Sequence, residues 1–248
     1  MNIGKRGHMA GFSLLEISVV LAVLGALTLG LGSQWDSIQT ARKHNAALAE
    51  LSTARAALYA YLLRNRRLPC PALAGDHGFA PVPCPAGRNR GLLPYASLGL
   101  EAPSAAPLYY AVHRATGADL VTPATASPTT IEMSQRAGIE TALAALARRP
   151  AVDTGQPHHP ATPTAVNNDD CSPSQATNPA FVLLAQVQAL STTAQAAGNG
   201  FDGLNQPFTH GTSLCSAAPE RPRHAHYDDL VLSEPASALL GWIIQRAR

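Results

Sequence analysis

Apolar and polar positions along the chain fall into two regimes that meet near residue 36. From Ile17 to Trp35 there is no charged side chain, and one carboxylate, Glu16, stands at the head of the run. Nineteen uncharged residues behind a short basic leader predict a membrane-spanning helical half over residues 12–35. The leader, residues 1–11, carries Lys5, Arg6 and His8 and no acid, which places the N-terminus on the cytoplasmic side. A carboxylate at the end of such a helix is costly in lipid without a partner, so Glu16 is a candidate functional residue.

The second regime keeps the helix but changes its pattern. Residues 36–68 contain no proline or glycine, and Ile38, Ala41, Leu48, Leu51, Leu58 and Leu62 recur at three-, four- and seven-residue intervals. That spacing traces one apolar face, with Arg42, Lys43, Glu50, Arg55 and Arg64 away from it. Pro69 ends the run, and Arg64, Arg66 and Arg67 suit the negative end of the helix dipole. One helix from Phe12 to about Arg67 would be on the order of 80 Å long at 1.5 Å per residue.

Residues 69–248 predict a loop-rich head domain. Strands are expected near 107–114, 181–187 and 227–233, although period alone does not separate strand from helix around 181–187. Residues 139–149 are rich in alanine and leucine and predict a short helix closed by Pro150. Ser233, Glu234 and Pro235 are a helix-start signal before Leu239, Leu240, Trp242, Ile243 and Ile244. Residues 69–91, 122–130, 151–179 and 198–211 are rich in proline, glycine or threonine and predict loops. The fold class is therefore α+β: a long N-terminal helix, with a membrane-spanning half and an amphipathic half, packed on a small antiparallel sheet. The sheet would bury the face made by Leu48, Leu51, Leu58 and Leu62.

Composition narrows the possible chemistry. Charged residues make up 14% of the chain and the formal net charge is +2, which falls to neutrality once Lys5 and Arg6 are removed with the leader. A neutral chain carries no electrostatic footprint for nucleic acid. Cys70, Cys84, Cys171 and Cys215 all follow the apolar run, on the side where disulfides form. Four cysteines allow three connectivities; Cys70–Cys84 and Cys171–Cys215 are preferred because each staples a proline-rich loop. The paired spacings of a zinc site are absent.

At Gly11-Phe12-Ser13-Leu14-Leu15-Glu16 and the apolar run behind it, the chain resembles the type IV pilin and type II secretion pseudopilin superfamily. The resemblance covers roughly the first fifth of the sequence. It implies that a prepilin peptidase cuts between Gly11 and Phe12 and methylates the new Phe12 amine. It implies further that Glu16 pairs with the Phe12 amine of a neighbouring subunit during assembly. The partners implied are other pilins or pseudopilins, the peptidase, an inner-membrane assembly platform, and membrane lipid before assembly. The location implied is a single pass of the inner membrane with a periplasmic head, then a surface pilus or periplasmic pseudopilus. Ser33 stands where many major pilins have a proline, and the head is large for a repeated shaft subunit, so a minor or tip-proximal position is favoured. A secretory signal peptide and a plain signal anchor are the competing readings, but an acid opening the apolar region would be unusual in the first, and the second gives no reason for Gly11-Phe12 or Glu16.

No catalytic motif selects a nucleophile, so the chain is read as a structural subunit and not an enzyme, with no cofactor and no metal. Asp169-Asp170 and Asp228-Asp229 are acidic pairs, and some pseudopilins hold calcium in a C-terminal loop. Neither pair alone supplies the oxygens calcium takes, so both are read as solvated turn or strand-edge acids. His158-His159 and His224-x-His226 are read as solvent-exposed. Two other classes stay open: an adhesin or ligand-binding module around Cys171–Cys215, and a signal-anchored periplasmic enzyme.

Overall fold

The computed structural model describes residues 14–103, 106–123, 131–161, 171–190 and 200–246, with side chains inside helices left out at 27–37 and 131–137. The chain divides into two compact units, Met1–Asn45 and Ala46–Arg248. Helix α1, Leu14–Asn65, begins in the first unit and ends in the second. It closes with Arg66 in the left-handed region at φ 53°, just before Pro69.

The expected membrane-spanning half is corrected. Among the described residues no helix is long and apolar enough to cross a membrane. The described apolar start of α1, residues 14–26, is roughly 20 Å long at 1.5 Å per residue. A hydrocarbon core is about 30 Å thick, and this stretch also carries Glu16.

The second unit is built on a four-stranded antiparallel sheet in the order β1-β2-β7-β8. Its strands are β1 (Arg90–Leu92), β2 (Tyr109–Val112), β7 (Phe181–Ala185) and β8 (Leu230–Glu234). Tyr110 faces Leu183 across β2 and β7, and Leu183 faces Leu232 across β7 and β8. Two small ribbons complete the strands: β3 (Arg114–Ala115) with β4 (Ala118–Asp119), and β5 (His159–Pro160) with β6 (Ala176–Thr177). Among the described residues, the α-helices after α1 are α2 (Tyr95–Leu98), α3 (Ile131–Ala147), α4 (Asn205–His210) and α5 (Ala236–Arg246).

Strand alternation divides the interior into two cores. Tyr110, Val112, Phe181, Leu183 and Ala185 face α1, α3 and α5, where Leu51, Ala54, Leu58, Leu62, Leu143, Leu239 and Ile243 are buried. Ala111, Val182 and Leu184 face the other way, onto Phe201, Phe208, Ala217 and Tyr227. Both faces of β7 are therefore covered, and all five of its residues are buried. A strand buried on both faces reads as a continuous apolar run, which is why its period was ambiguous.

The buried stripe of α1 is Ala47, Leu51, Ala54, Leu58, Tyr61 and Leu62. Leu48 and Ile38, expected on it, are 45% and 46% exposed. Small alanines let the helix approach the sheet, and that rotates Leu48 outward. Polar bonds fix this rotation. Arg55 Nε lies 2.7 Å from Glu234 Oε2 at the end of β8, and Tyr59 meets Trp242 of α5 edge to face at 4.4 Å. The Tyr95 hydroxyl donates to Glu50 Oε1 at 2.7 Å and accepts the Leu108 N–H at 2.8 Å. Tyr95→Phe should therefore cost about 1–2 kcal/mol, chiefly by leaving that N–H unpaired. A urea midpoint equal to wild type would contradict this.

Two disulfides, Cys70–Cys84 and Cys171–Cys215, are formed and no cysteine is free. The loop expected over 69–91 also contributes strand β1 at its end. Gly91 is required there, because a Cβ would overlap the Ala72 carbonyl oxygen. The segment 198–211, expected as loop, contains α4.

Candidate functional site

The predicted assembly residues lie at the start of α1. Gly11 and Phe12 fall outside the described residues; Glu16 lies in the first turn of the helix and is exposed. Its neighbours are apolar and open as well: Leu14 is 88% exposed, Leu15 73% and Leu21 63%. Ile17, Val19, Val20, Val23 and Leu24 are exposed too, so within the first unit by itself the apolar residues are not confined to a covered face.

A second group of residues converges in the head, beneath the second core. The glycine-rich turn before α4 places Gly200 at φ 70° and Gly203 at φ 55°, values that favour glycine. Between them Asp202 is carried inward, and it is fully buried. Asp228 and Asp229, just before β8, are buried beside it at 2% and 3% exposure. One carboxylate oxygen from each of the three lies within 4.8 Å of the others.

Backbone amides hold the three side chains in place. Gln188 N–H donates to Asp228 Oδ1 at 3.1 Å, and Leu190 N–H donates to Asp202 Oδ2 at 3.3 Å. Asp229 Oδ2 accepts the Asp202 N–H at 2.8 Å and the Asn205 side-chain amide at 3.0 Å. Asn205 is itself fixed, since its amide also reaches the Tyr227 hydroxyl and its carbonyl accepts the Ala217 N–H at 2.9 Å. Burial holds the Asp229 carboxyl well above the usual carboxylate range; the Asn205 and Asp202 bonds oppose this, and the charges of Asp202 and Asp228 add to it. Arg223 approaches Asp228 Oδ2 at 3.8 Å from a side chain that is 40% exposed.

These positions correct two expectations. Asp228 and Asp229 are not solvated strand-edge acids, and Asp169-Asp170 lies outside the described residues. His158 and His159 are not exposed: they are buried at 5% and 7%. Each ring Nδ1–H donates to a backbone carbonyl, of Gln156 and Pro160 respectively, at 2.8 Å. His158 also exchanges backbone bonds with Leu214 and Ser216, which anchors the segment carrying Cys215. His224 stacks on Tyr227 at 5.8 Å, while His226 is exposed. The sequence signal that sequence reasoning passed over was Asp202 between two glycines, with an Asp-Asp pair later in the chain.

No family model, no curated protein and no solved structure matches this chain. The functional reading therefore rests on the residues themselves.

Proposed function

We propose that the chain is a structural subunit of the type IV pilus or type II secretion pseudopilus class, in a minor or tip-proximal position. The observation that carries this reading is the start of α1. A single carboxylate, Glu16, opens a helix whose apolar side chains are exposed, in register with Gly11-Phe12. A helix apolar on all sides needs neighbours that cover it. A bundle of the same helices from adjacent subunits supplies them and leaves the head domains outside.

In that bundle Glu16 needs a positive partner as water leaves, and the Phe12 amine freed by cleavage after Gly11 provides one. Pairing Glu16 with the amine of the adjacent subunit offsets both desolvation costs and sets the stagger between neighbours. Two disulfides and no free cysteine suit a head that matures in an oxidising compartment such as the periplasm. The partners on this reading are other pilins or pseudopilins, a prepilin peptidase and an assembly platform.

Glu16→Ala should leave leader cleavage intact and lower incorporation into co-purified filaments about tenfold, which corresponds to roughly 1.4 kcal/mol of lost pairing. Undiminished incorporation would remove Glu16 from this role. Intact mass of the protein from its native cell envelope tests the frame of the proposal: a chain beginning at N-methyl-Phe12 is expected, and any other start overturns it.

A further inference from the structure

We infer that the cleft at the C-terminal end of α1, where Arg64, Arg66 and Arg67 meet the segment after β4, binds the phosphate group of a small phosphomonoester. The three arginines form one wall of a cleft of about 430 Å³, and Val121, Thr122 and Pro123 form the other. The two walls are fixed to each other. The Leu68 N–H donates to Leu120 O at 2.8 Å, and both leucines are fully buried. Arg64 is exposed, whereas Arg66 and Arg67 are half-buried.

The charge in this cleft is unanswered. Elsewhere in the head Arg55, Arg88, Arg114, Arg149 and Arg223 each meet a carboxylate, and Arg90 reaches backbone carbonyls. Among the described residues the guanidinium groups of Arg64, Arg66 and Arg67 make no hydrogen bond and no ion pair. Asp119, close in sequence to the far wall, is already held by Arg114, the Thr122 hydroxyl and two backbone amides. The end of a helix presents only about half a unit of negative charge, too little for three cations. Like charges packed this closely repel until an anion joins them. The backbone adds a second sign: Arg66 has φ 53°, a conformation in which a helix usually ends on glycine. Glycine would hold that turn with less strain, so helix closure does not account for the arginine.

The donor set selects the kind of anion. Three planar guanidinium forks match a group of charge near −2 with three acceptor oxygens, the form of a phosphate monoester at neutral pH. A carboxylate offers one charge and two oxygens, and leaves cations over. The cleft falls in the size range of small-ligand pockets and exceeds a bare phosphate. An organic group attached to the phosphate therefore has room along the uncharged wall of Val121, Thr122 and Pro123. Nucleic acid fits less well, because the cleft has no aromatic side chain on which a base could stack. A chain of formal charge +2 also gives no extended basic surface for a duplex. The site is independent of the filament reading, since it uses none of Gly11, Phe12 and Glu16.

Isothermal titration of the full chain in a non-ionic detergent, at constant ionic strength, compares glycerol 3-phosphate, inorganic phosphate and acetate. Glycerol 3-phosphate should bind with a Kd of ~1 mM or below, inorganic phosphate more weakly, and acetate at least tenfold more weakly than the ester. Arg67→Gln should weaken binding of the ester at least tenfold, and Arg67→Lys should restore only part of the loss. Arg66→Gly should weaken it as much while leaving the thermal midpoint unchanged or higher, since glycine suits that φ. Arg148→Gln removes an exposed head cation outside the cleft and should bind as wild type does. No binding of the ester up to ~10 mM overturns the site. An equal loss in Arg148→Gln also overturns it, by showing a diffuse effect of charge. Inorganic phosphate bound as tightly as the ester overturns the assignment to an ester, and acetate bound as tightly overturns the choice of phosphate. Tighter binding of a short DNA duplex that weakens steeply with salt overturns the choice of a small ligand.

Discussion

Arg90→Met should lower the stability of the head by about 3 kcal/mol, although it changes no apolar contact of the main core. Arg90 begins β1, and its guanidinium reaches three backbone carbonyls at the far end of α4. Nη1 donates to Phe208 O at 2.8 Å and to Ser213 O, and Nη2 donates to Gly211 O at 2.5 Å. These carbonyls follow a short helix and a turn, where backbone acceptors lack intrahelical partners. Methionine keeps much of the apolar stem but withdraws every donor, so the carbonyls must find water or remain unpaired. Arg90→Lys should restore only part of the loss, because an ammonium cannot span three acceptors with a fixed fork. Urea unfolding of the full chain checks both variants. A loss below about 0.5 kcal/mol, the usual size of a surface change, would show that the carbonyls are served otherwise.

Acid should weaken the fold through His113. Its side chain is fully buried at the end of β2, and neither ring nitrogen has a hydrogen-bond partner among the described residues. Burial first, and the charge of Arg149 second, lower its pKa to about 4 against the opposing pull of Asp153 and Asp119. The unfolded chain takes up this proton near pH 6.5 and the folded chain only near pH 4. Stability from the neutral ring is therefore complete above pH 6.5 and is lost as pH falls towards 4, about 3 kcal/mol in all. His113→Leu removes this dependence while filling much of the same space. The stability difference between wild type and variant should shift by most of that amount between pH 7.5 and 4.5. A difference that does not vary with pH would mean that the ring is already paired in the native state.

What the sequence could convey follows from how local each cause is. Leu51, Leu58 and Leu62 announce the buried face of α1 by spacing alone, and that face is where the sheet lies. Leu48 misleads because helix rotation is set by what approaches: Ala47 takes the close position and Leu48 turns to solvent. The strands at β2, β7 and β8 were legible from branched and aromatic residues. β1 was not, being three residues long with a glycine whose reason is the carbonyl of Ala72 crossing it. The membrane-spanning reading came from counting uncharged residues, and no described helix meets the length and apolarity it requires.

The carboxylate site was half visible. Asp228-Asp229 could be read as a pair, but burial depends on what packs over it. That cover comes from the second core of Phe201, Phe208, Ala217 and Tyr227, a layer with no periodic signature because most of it is turn and loop. The convergence of Asp202 with the pair is a property of topology, since β7 and β8 are neighbours joined by a long excursion that folds back across the sheet.

The other core, on the opposite face of the sheet, holds Leu51 and Leu58 of α1 together with Leu239 and Ile243 of α5, the last helix described. During synthesis α5 must therefore emerge before this interior can close. Until then α1 presents its head-facing stripe without cover, and β7 lacks the strand that completes its pairing. A chain that stops before α5 is therefore unable to cover the buried stripe of its first helix fully.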